Sequence, residues 1–532
     1  VTPETALGMF RVRVERDPAF PFLYTPDGEG RSFAALSARV DALAAELDGR
    51  GVAPGDIVGL YLWNDPAWVI AVLACWSCGC AFAACGALSP PAEAERRFAL
   101  VRPRLIVAPP GVAPGREWPV LALPAEGDVE AAPSPAPHRS PGADDTAAVF
   151  FTSGTTAEPK AIVHTHRRLV DAARTTASAY ARDPSFRPRV APGERPPSVS
   201  FNPFGHMAGL GRMIFRLYVG RAILLVPKFE VAVMRDLAAR YPLDTLQLTP
   251  AMVHALAYTD EDITLGALRY VTSGTAPLPM ATREAFERRY GVPVLQAYGS
   301  TEGGITALER YEDALAGRRG PGSVGRVPDG CPLRIVGADG AEVAPGEEGE
   351  ILGRPARAGR YLTDAGTEPL PVDADGWYHT GDVGRLDEHG ILYVTGRLKE
   401  MMIVGGFNVF PAEVEDALRQ SPLVRDAVVV ALPDDRLGEV PVAGIVWSGG
   451  TGGTAGAGDG GATGAGDGGA GASPAADARV AALEAECRAR LAPYKVPREW
   501  FTLDAVPLTD NGKLDRRGAA ALAAARLGAT RA

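Results

Sequence analysis

Apolar and polar positions change period several times along the 532 residues, and each change marks a different kind of element. Residues 37–47 repeat apolar side chains at helical spacing, and Ile57-Val58-Gly59-Leu60-Tyr61-Leu62 follows as a short apolar run. Continued through residues 33–110, this alternation predicts βα units in a mostly parallel sheet. Residues 67–88 carry no formal charge, which is long enough to span a bilayer. Ala, Cys, Ser and Gly dominate the stretch, Gly79 interrupts it and no Lys/Arg cluster flanks it, so it reads as a buried helix running into a buried strand. Residues 110–141 form a Pro/Ala/Gly connector. A second βα series spans 147–307, with apolar strands at 149–151, 222–226 and 246–249. Beyond Gly320, short strands alternate with Gly/Asp turns, which predicts a small β-barrel.

From Glu400 the pattern is that of a compact α+β unit, with a helix starting at residues 411–418 and strands at 427–432 and 442–447. Residues 449–475 are almost purely Gly, Ala, Thr and Asp, and Gly-Ala-Gly-Asp-Gly-Gly-Ala occurs twice, at Gly456 and Gly464. Such a stretch cannot bury apolar surface and is expected to be a flexible loop ahead of a helix at 478–491.

Composition narrows the class. With 46% hydrophobic and 22% charged residues the chain is ordinary globular protein, long enough for more than one domain. A formal net charge of −10 argues against nucleic acid or an anionic membrane as partner. Residues 1–18 contain no apolar signal core and the last four residues are not a peroxisomal address, so the cytoplasm is the expected compartment. Cys75, Cys78, Cys80 and Cys85 lie among apolar residues without the paired knuckles or histidines of a zinc site; buried thiols are the better reading.

The chemistry begins at Thr152-Ser153-Gly154-Thr155-Thr156-Ala157-Glu158-Pro159-Lys160. Small residues let backbone N–H groups approach phosphate oxygens, hydroxyls donate to them, and a lysine adds a point charge. It is not a Walker A loop, because Lys160 follows a proline and lacks the second glycine. Three further stretches follow in order: Tyr298-Gly299-Ser300-Thr301-Glu302-Gly303; Tyr378-His379-Thr380-Gly381-Asp382 with Gly396-Arg397-Leu398-Lys399-Glu400; and Asn511-Gly512-Lys513. Together they resemble the adenylate-forming superfamily of acyl- and aryl-CoA synthetases, peptide-synthetase adenylation domains and firefly luciferase. The likeness covers about residues 33–517.

That resemblance implies an α/β fold. A large N-terminal domain (1–398) of two stacked αβ subdomains plus a small β-barrel would be followed by a small mobile α+β domain (399–532). It also implies a reaction, in which a carboxylate attacks the α-phosphate of ATP to give an acyl-adenylate and pyrophosphate. Two anions must meet, so charge neutralisation and alignment are the main catalytic tasks.

By the same resemblance Thr152, Ser153, Gly154, Thr155, Thr156 and Lys160 clamp the β- and γ-phosphates, while Gly274, Thr275 and Ala276 line the adenine and acyl pockets. Tyr298 stacks on adenine beside Gly299, Thr301 contacts the α-phosphate, and Glu302 holds Mg2+. Asp382 accepts from the ribose hydroxyls, Arg397 adds a ribose or phosphate contact, and Lys513 is the catalytic bridge between carboxylate and α-phosphate. Lys399 is the hinge, about which rotation brings Gly405, Gly406 and Phe407 to a thiol tunnel. CoA is the expected second substrate. A carrier-protein thiol supplied in trans, a nitrogen nucleophile, or a luciferase-like oxidation by O2 are the alternatives.

The acid pocket is expected around Gly205, His206, Met207, Gly209 and Gly299, with His206 near the carboxylate. Residues 198–212 hold no aspartate to pair with an α-ammonium group, so an α-amino acid is disfavoured and Met207 points to an apolar acyl or aryl acid. Ala157, Ala161 and Gly205 depart from the family pattern. The alanines question the phosphate loop's conformation, and Gly205 is expected to enlarge the pocket.

Overall fold

A computed structural model describes residues 3–87, 89–115, 118–128, 139–153, 159–182, 196–300, 302, 304–354, 359–363, 366–448, 474–508 and 514–531. Local signals explain where the elements near the site begin. Ser32 accepts a hydrogen bond from the Ala35 N–H and so caps the helix Phe33–Gly49, which contains the predicted 37–47 segment. Asp65 accepts from the Ala67 N–H, and with Pro66 at the first helical position starts the helix Pro66–Ser77. Every residue of that helix is buried, and it runs into the buried strand Ala81–Gly86. The uncharged stretch is therefore core. Among the described residues no helix is long and apolar enough to cross a membrane. Cys75, Cys78, Cys80 and Cys85 are buried free thiols, as their apolar neighbours suggest.

Four sheets organise the described residues. In an eight-stranded sheet Ile57–Leu62 pairs in parallel with Ala81–Gly86 and Ile106–Ala108, and Ala81–Gly86 pairs in parallel with Thr146–Ser153. Thr146–Ser153 then pairs antiparallel with Pro159–Thr165, setting Thr152 opposite Lys160. A nine-stranded sheet starts with three parallel strands, Thr245–Leu248, Tyr270–Ser273 and Val294–Ser300. It continues antiparallel through Gly304–Leu308 and Ser323–Arg326 to Ile391–Arg397 and Tyr378–Leu386. The short strands predicted beyond Gly320 are therefore present and are joined edge to edge to the second βα series. A four-stranded sheet carries Ser198–Ser200 and Ile223–Leu225.

The last unit is a five-stranded sheet in which Val424–Asp434 and Gly438–Trp447 pair along their length, with Glu499–Thr502 parallel to the latter. The helices Pro411–Arg419, Pro474–Arg490 and Arg516–Arg531 belong to it. Leu508 and Leu514 pair across the short segment that carries Lys513.

Candidate active site

The C-terminal ends of the three parallel strands, the first residues of the strand Tyr378–Leu386 and the helix Met207–Val219 border one cavity of about 1390 Å³. It is larger than a typical single-ligand pocket, as a site for two joined substrates requires. Tyr298, Asp382 and Arg397 form its best-defined polar cluster. The Tyr298 hydroxyl donates to Asp382 Oδ2 at 2.5 Å, and Arg397 Nε lies 2.7 Å from Asp382 Oδ1. Asp382 is opposite Arg397 in the ladder, so sheet register makes the second contact. Burial and the neighbouring carboxylate push the Tyr298 phenol well above its ordinary range, which keeps it a donor. Burial opposes the charge of Arg397, and Asp382 more than restores it.

Behind this cluster Glu350 holds the start of the strand Tyr378–Leu386. Its carboxylate accepts from the Gly381 N–H at 3.1 Å and lies 2.8 Å from His379 Nδ1, while Thr380 Oγ donates to the Ile351 carbonyl and accepts from the Asp382 N–H. Thr275, also on the cavity wall, has φ +74°. A β-branched residue in the left-handed region costs about 1–3 kcal/mol, and such strain concentrates at ligand-binding sites. Gly274 lines the cavity beside it, whereas Ala276 is not part of the wall.

Glu302 and Lys160 both border the cavity as well. The Glu302 carbonyl accepts from Arg168 Nη2 at 2.5 Å and from the Gly359 N–H at 3.0 Å, which fixes the backbone while the residue borders the cavity. Burial lowers Arg168 to about 10 against the opposing pull of Glu302. Lys160 Nζ stands 5.0 Å from the Tyr361 ring centroid. Burial first and Glu302 second raise the Tyr378 phenol, which puts the Glu302 charge beside this aromatic corner. A carboxylate bordering an open cavity suits a hard cation that takes its other ligands from phosphate oxygens, so Glu302 fits Mg2+.

His206 and Met207 border the cavity as expected, together with Gly299, Ala208 and Phe215. Gly205 and Gly209 do not. A Cβ on Gly205 would stand 2.8 Å from the Gly86 nitrogen, and one on Gly209 would stand 2.4 Å from the Pro203 carbonyl oxygen. Both glycines let backbones pass closely, so Gly205 serves packing rather than pocket size. Arg212 and Arg216, unremarked in the sequence, line the cavity from the same helix and add cationic groups to the expected apolar wall.

Thr152 and Ser153 end the strand that leads to the phosphate stretch. Gly154, Thr155, Thr156, Ala157, Thr301 and Lys513 lie outside the described residues. Ala161 is a regular strand residue paired with Phe151 and Leu362, so an alanine there strains nothing. Lys399 borders the cavity, as do Arg516 and Arg517 just beyond Lys513. Gly405, Gly406 and Phe407 stand outside the wall, where the exposed Phe407 ring stacks on Tyr494 at 4.5 Å. Sequence reasoning missed Glu350, Tyr361, Arg168, Arg212 and Arg216. The two pocket arginines alone carried a readable signal, i, i+4 spacing on the helix that follows His206.

Comparison with known proteins decides the family. The family model for AMP-binding enzymes matches residues 10–359, and that for the AMP-binding enzyme C-terminal domain matches 413–460. The chain belongs to the AMP-binding enzyme family. It is similar to the sulfoacetate–CoA ligase of Cupriavidus necator, 30% identical over 96% of this chain and 97% of that one. The indoleacetate–CoA ligase of Aromatoleum aromaticum is 30% identical over 91% of each chain. Among solved structures, the amide bond synthetase McbA from Marinactinospora thermotolerans superposes with a TM-score of 0.77 and 26% identity, over 97% of this chain and 99% of that one. The curated relatives carry the names of acid–CoA ligases, and this AMP-binding enzyme has the α/β fold and small C-terminal unit expected of the superfamily.

Proposed function

We propose that this AMP-binding enzyme activates a carboxylic acid with ATP as its acyl-adenylate and transfers the acyl group to CoA. One observation carries the reading: His206 and Met207 border the same cavity as Gly274, Thr275, Tyr298, Asp382 and Arg397, so the groups expected to bind acid and nucleotide line one space. A carboxylate oxygen beside His206 attacks the α-phosphorus, the bond to the β-phosphate oxygen breaks, and pyrophosphate leaves. Asp382 holds the ribose and Tyr298 the adenine. Lys160, with Thr152 to Thr156, holds the outgoing phosphates, and Lys513 and Thr301 steady the charge at the α-phosphate. Glu302 is the residue to hold Mg2+, which supplies further neutralisation on the phosphate oxygens.

In the second half-reaction a thiolate sulfur attacks the acyl carbon and AMP departs. We assign residues 1–398 to acid and ATP and residues 399–532 to a mobile unit that turns about Lys399, replacing the Lys513 side with Gly405, Gly406 and Phe407. The reduced thiols of CoA and of the buried cysteines suit a cytoplasmic setting. The likeness to an amide bond synthetase favours a second reading, in which an amine or a carrier-protein thiol takes the adenylate. Pyrophosphate release from ATP and Mg2+ across a panel of acids, each with and without CoA, separates the two. A thioester supports the first reading, and acid-dependent release that CoA leaves unchanged supports the second. Release that no acid stimulates refutes both.

A further inference from the structure

The cavity does not stop beside His206. It follows the helix Met207–Val219 through Met207, Gly211, Phe215 and Val219, successive residues at i, i+4 spacing on one side. That run covers about 18 Å along the helix axis, well beyond what a short acid with its carboxylate at His206 can fill. The helix His166–Arg182 packs against Met207–Val219 and contributes Ala173 and Thr176 to the same wall. The side of Met207–Val219 away from the cavity, with Leu210, Met213, Ile214 and Leu217, is buried in the main hydrophobic core. The lining helix is therefore held from behind.

Gly211 is the position of this run without a side chain. A glycine inside a helix is unfavourable, because it gives up more backbone freedom on folding than any other residue, so it calls for a reason. Gly209, two residues earlier, has one in packing, since its Cβ would stand 2.4 Å from the Pro203 carbonyl oxygen. Gly211 has no such neighbour. Among the described residues, and apart from the helix's own backbone, only Met207 Cε would come within 4 Å of a Cβ there, at an ordinary contact distance of 3.7 Å. Nor does the backbone demand glycine, because Gly211 is outside the left-handed region. A side chain at Gly211 would enter the cavity, and its absence leaves room in the wall between the apolar Met207 and Phe215. Arg212 and Arg216 are engaged with protein groups, Arg212 with Ser198 Oγ at 3.1 Å and Arg216 with the Phe215 ring at 5.2 Å.

We propose that Gly211 sets the length of acid this enzyme takes, and that the acid carries an extended apolar tail, a medium-chain acyl group or linked rings, which passes Gly211 towards Val219. This rests on the ligase reading above and names its substrate class. Burial supplies the preference. Each methylene that leaves water for an apolar wall strengthens binding by about fourfold, so a few of them outweigh the losses of holding a longer chain still.

The test is acid-dependent ATP–pyrophosphate exchange over butanoate, hexanoate, octanoate and decanoate with the wild type, Gly211→Ala and Gly211→Leu. The wild-type kcat/KM should rise by about 10-fold or more from butanoate to octanoate. In Gly211→Leu the octanoate-to-butanoate ratio should fall about 100-fold, and in Gly211→Ala by less. Thermal unfolding supplies a readout that a packing role would move: Gly211→Ala should unfold at or above the wild-type temperature, since a glycine leaves a helix and nothing is struck. A lower Tm for Gly211→Ala, an unchanged ratio in Gly211→Leu, or a wild-type preference for butanoate overturns the inference while the ligase reading stands. Exchange with no acid overturns both. Should Gly211→Leu fail to fold, shown by circular dichroism, the wild-type profile and Gly211→Ala decide.

Discussion

Asp382→Asn tests the nucleotide half of the site most sharply, because the structure says how the carboxylate's acceptor sites are used. An ionised carboxylate offers about four acceptor positions. Tyr298 and Arg397 occupy two of them, one on each oxygen. Two remain for the ribose hydroxyls. Asparagine keeps one oxygen, so either Tyr298 or Arg397 loses its acceptor to an NH2 donor, and that NH2 offers the ribose hydroxyls no acceptor. The loss is one or two hydrogen bonds to a charged acceptor, each worth about 1.5–3 kcal/mol, so KM for ATP should rise about 100-fold. Stability should change little, since the Arg397 side chain is 59% exposed and such a pair is worth about 1 kcal/mol or less.

The assay is ATP–pyrophosphate exchange at saturating acid, run with ATP and 2′-deoxy-ATP on both proteins, which forms a double cycle. The wild type should discriminate against the deoxynucleotide by about 10-fold and the variant by less than about 3-fold. Equal discrimination by both proteins would refute the ribose assignment, even if the variant binds ATP poorly.

Three further outcomes are expected. Lys513→Ala should slow adenylate formation by about 10^2- to 10^3-fold, the scale for one preorganised charge, while pre-formed adenylate is still converted to thioester; equal loss in both half-reactions sinks the assignment. Glu302→Gln should raise the Mg2+ concentration for half-maximal exchange by about 10-fold or more, and an unchanged Mg2+ titration removes Glu302 from the metal site. Burial raises the Asp65 carboxyl to about 7 in the folded chain, above its ordinary value, so the folded state holds that proton more tightly. Its stabilising contribution is complete at acid pH and is lost as pH rises through about 7. Asp65→Asn keeps the helix cap and should stabilise the protein by up to about 4 kcal/mol at pH 8 and by almost nothing at pH 4, read by urea unfolding.

What the sequence disclosed is what short-range physics controls. Helical spacing at 37–47, the uncharged run into Ala81–Gly86 and the short strands beyond Gly320 all appear where periodicity puts them. Motif resemblance pointed to Tyr298, Asp382 and Arg397, but no spacing rule says that Tyr298 and Asp382, 84 residues apart, share a hydrogen bond; sheet register accounts only for the contact of Asp382 with Arg397. Packing decided the misreadings. Gly205 and Gly209 neighbour His206 in sequence and were expected in the pocket, yet their missing Cβ atoms accommodate Gly86 and Pro203. Thr275 gives no hint in its side chain of a left-handed backbone. That conformation depends on the surrounding fold.

The C-terminal unit shows how the two halves of the reaction become one problem of packing. Arg516 ion-pairs with Glu415 of its own unit, and its Nε lies 2.8 Å from Glu400, the residue after Lys399. Those carboxylates outweigh the burial that opposes its charge and hold Arg516 above its ordinary range, so it stays cationic at any working pH. Arg516 and Arg517 stand on the cavity wall while Phe407 stacks on Tyr494 outside it. In the proposed turn about Lys399, Arg516 moves as one body with Glu400 and Glu415, because all three lie within residues 399–532 and both ion pairs travel with it. On that proposal, withdrawal of Lys513 and arrival of Gly405, Gly406 and Phe407 are a single motion, as the proposed two-step reaction requires.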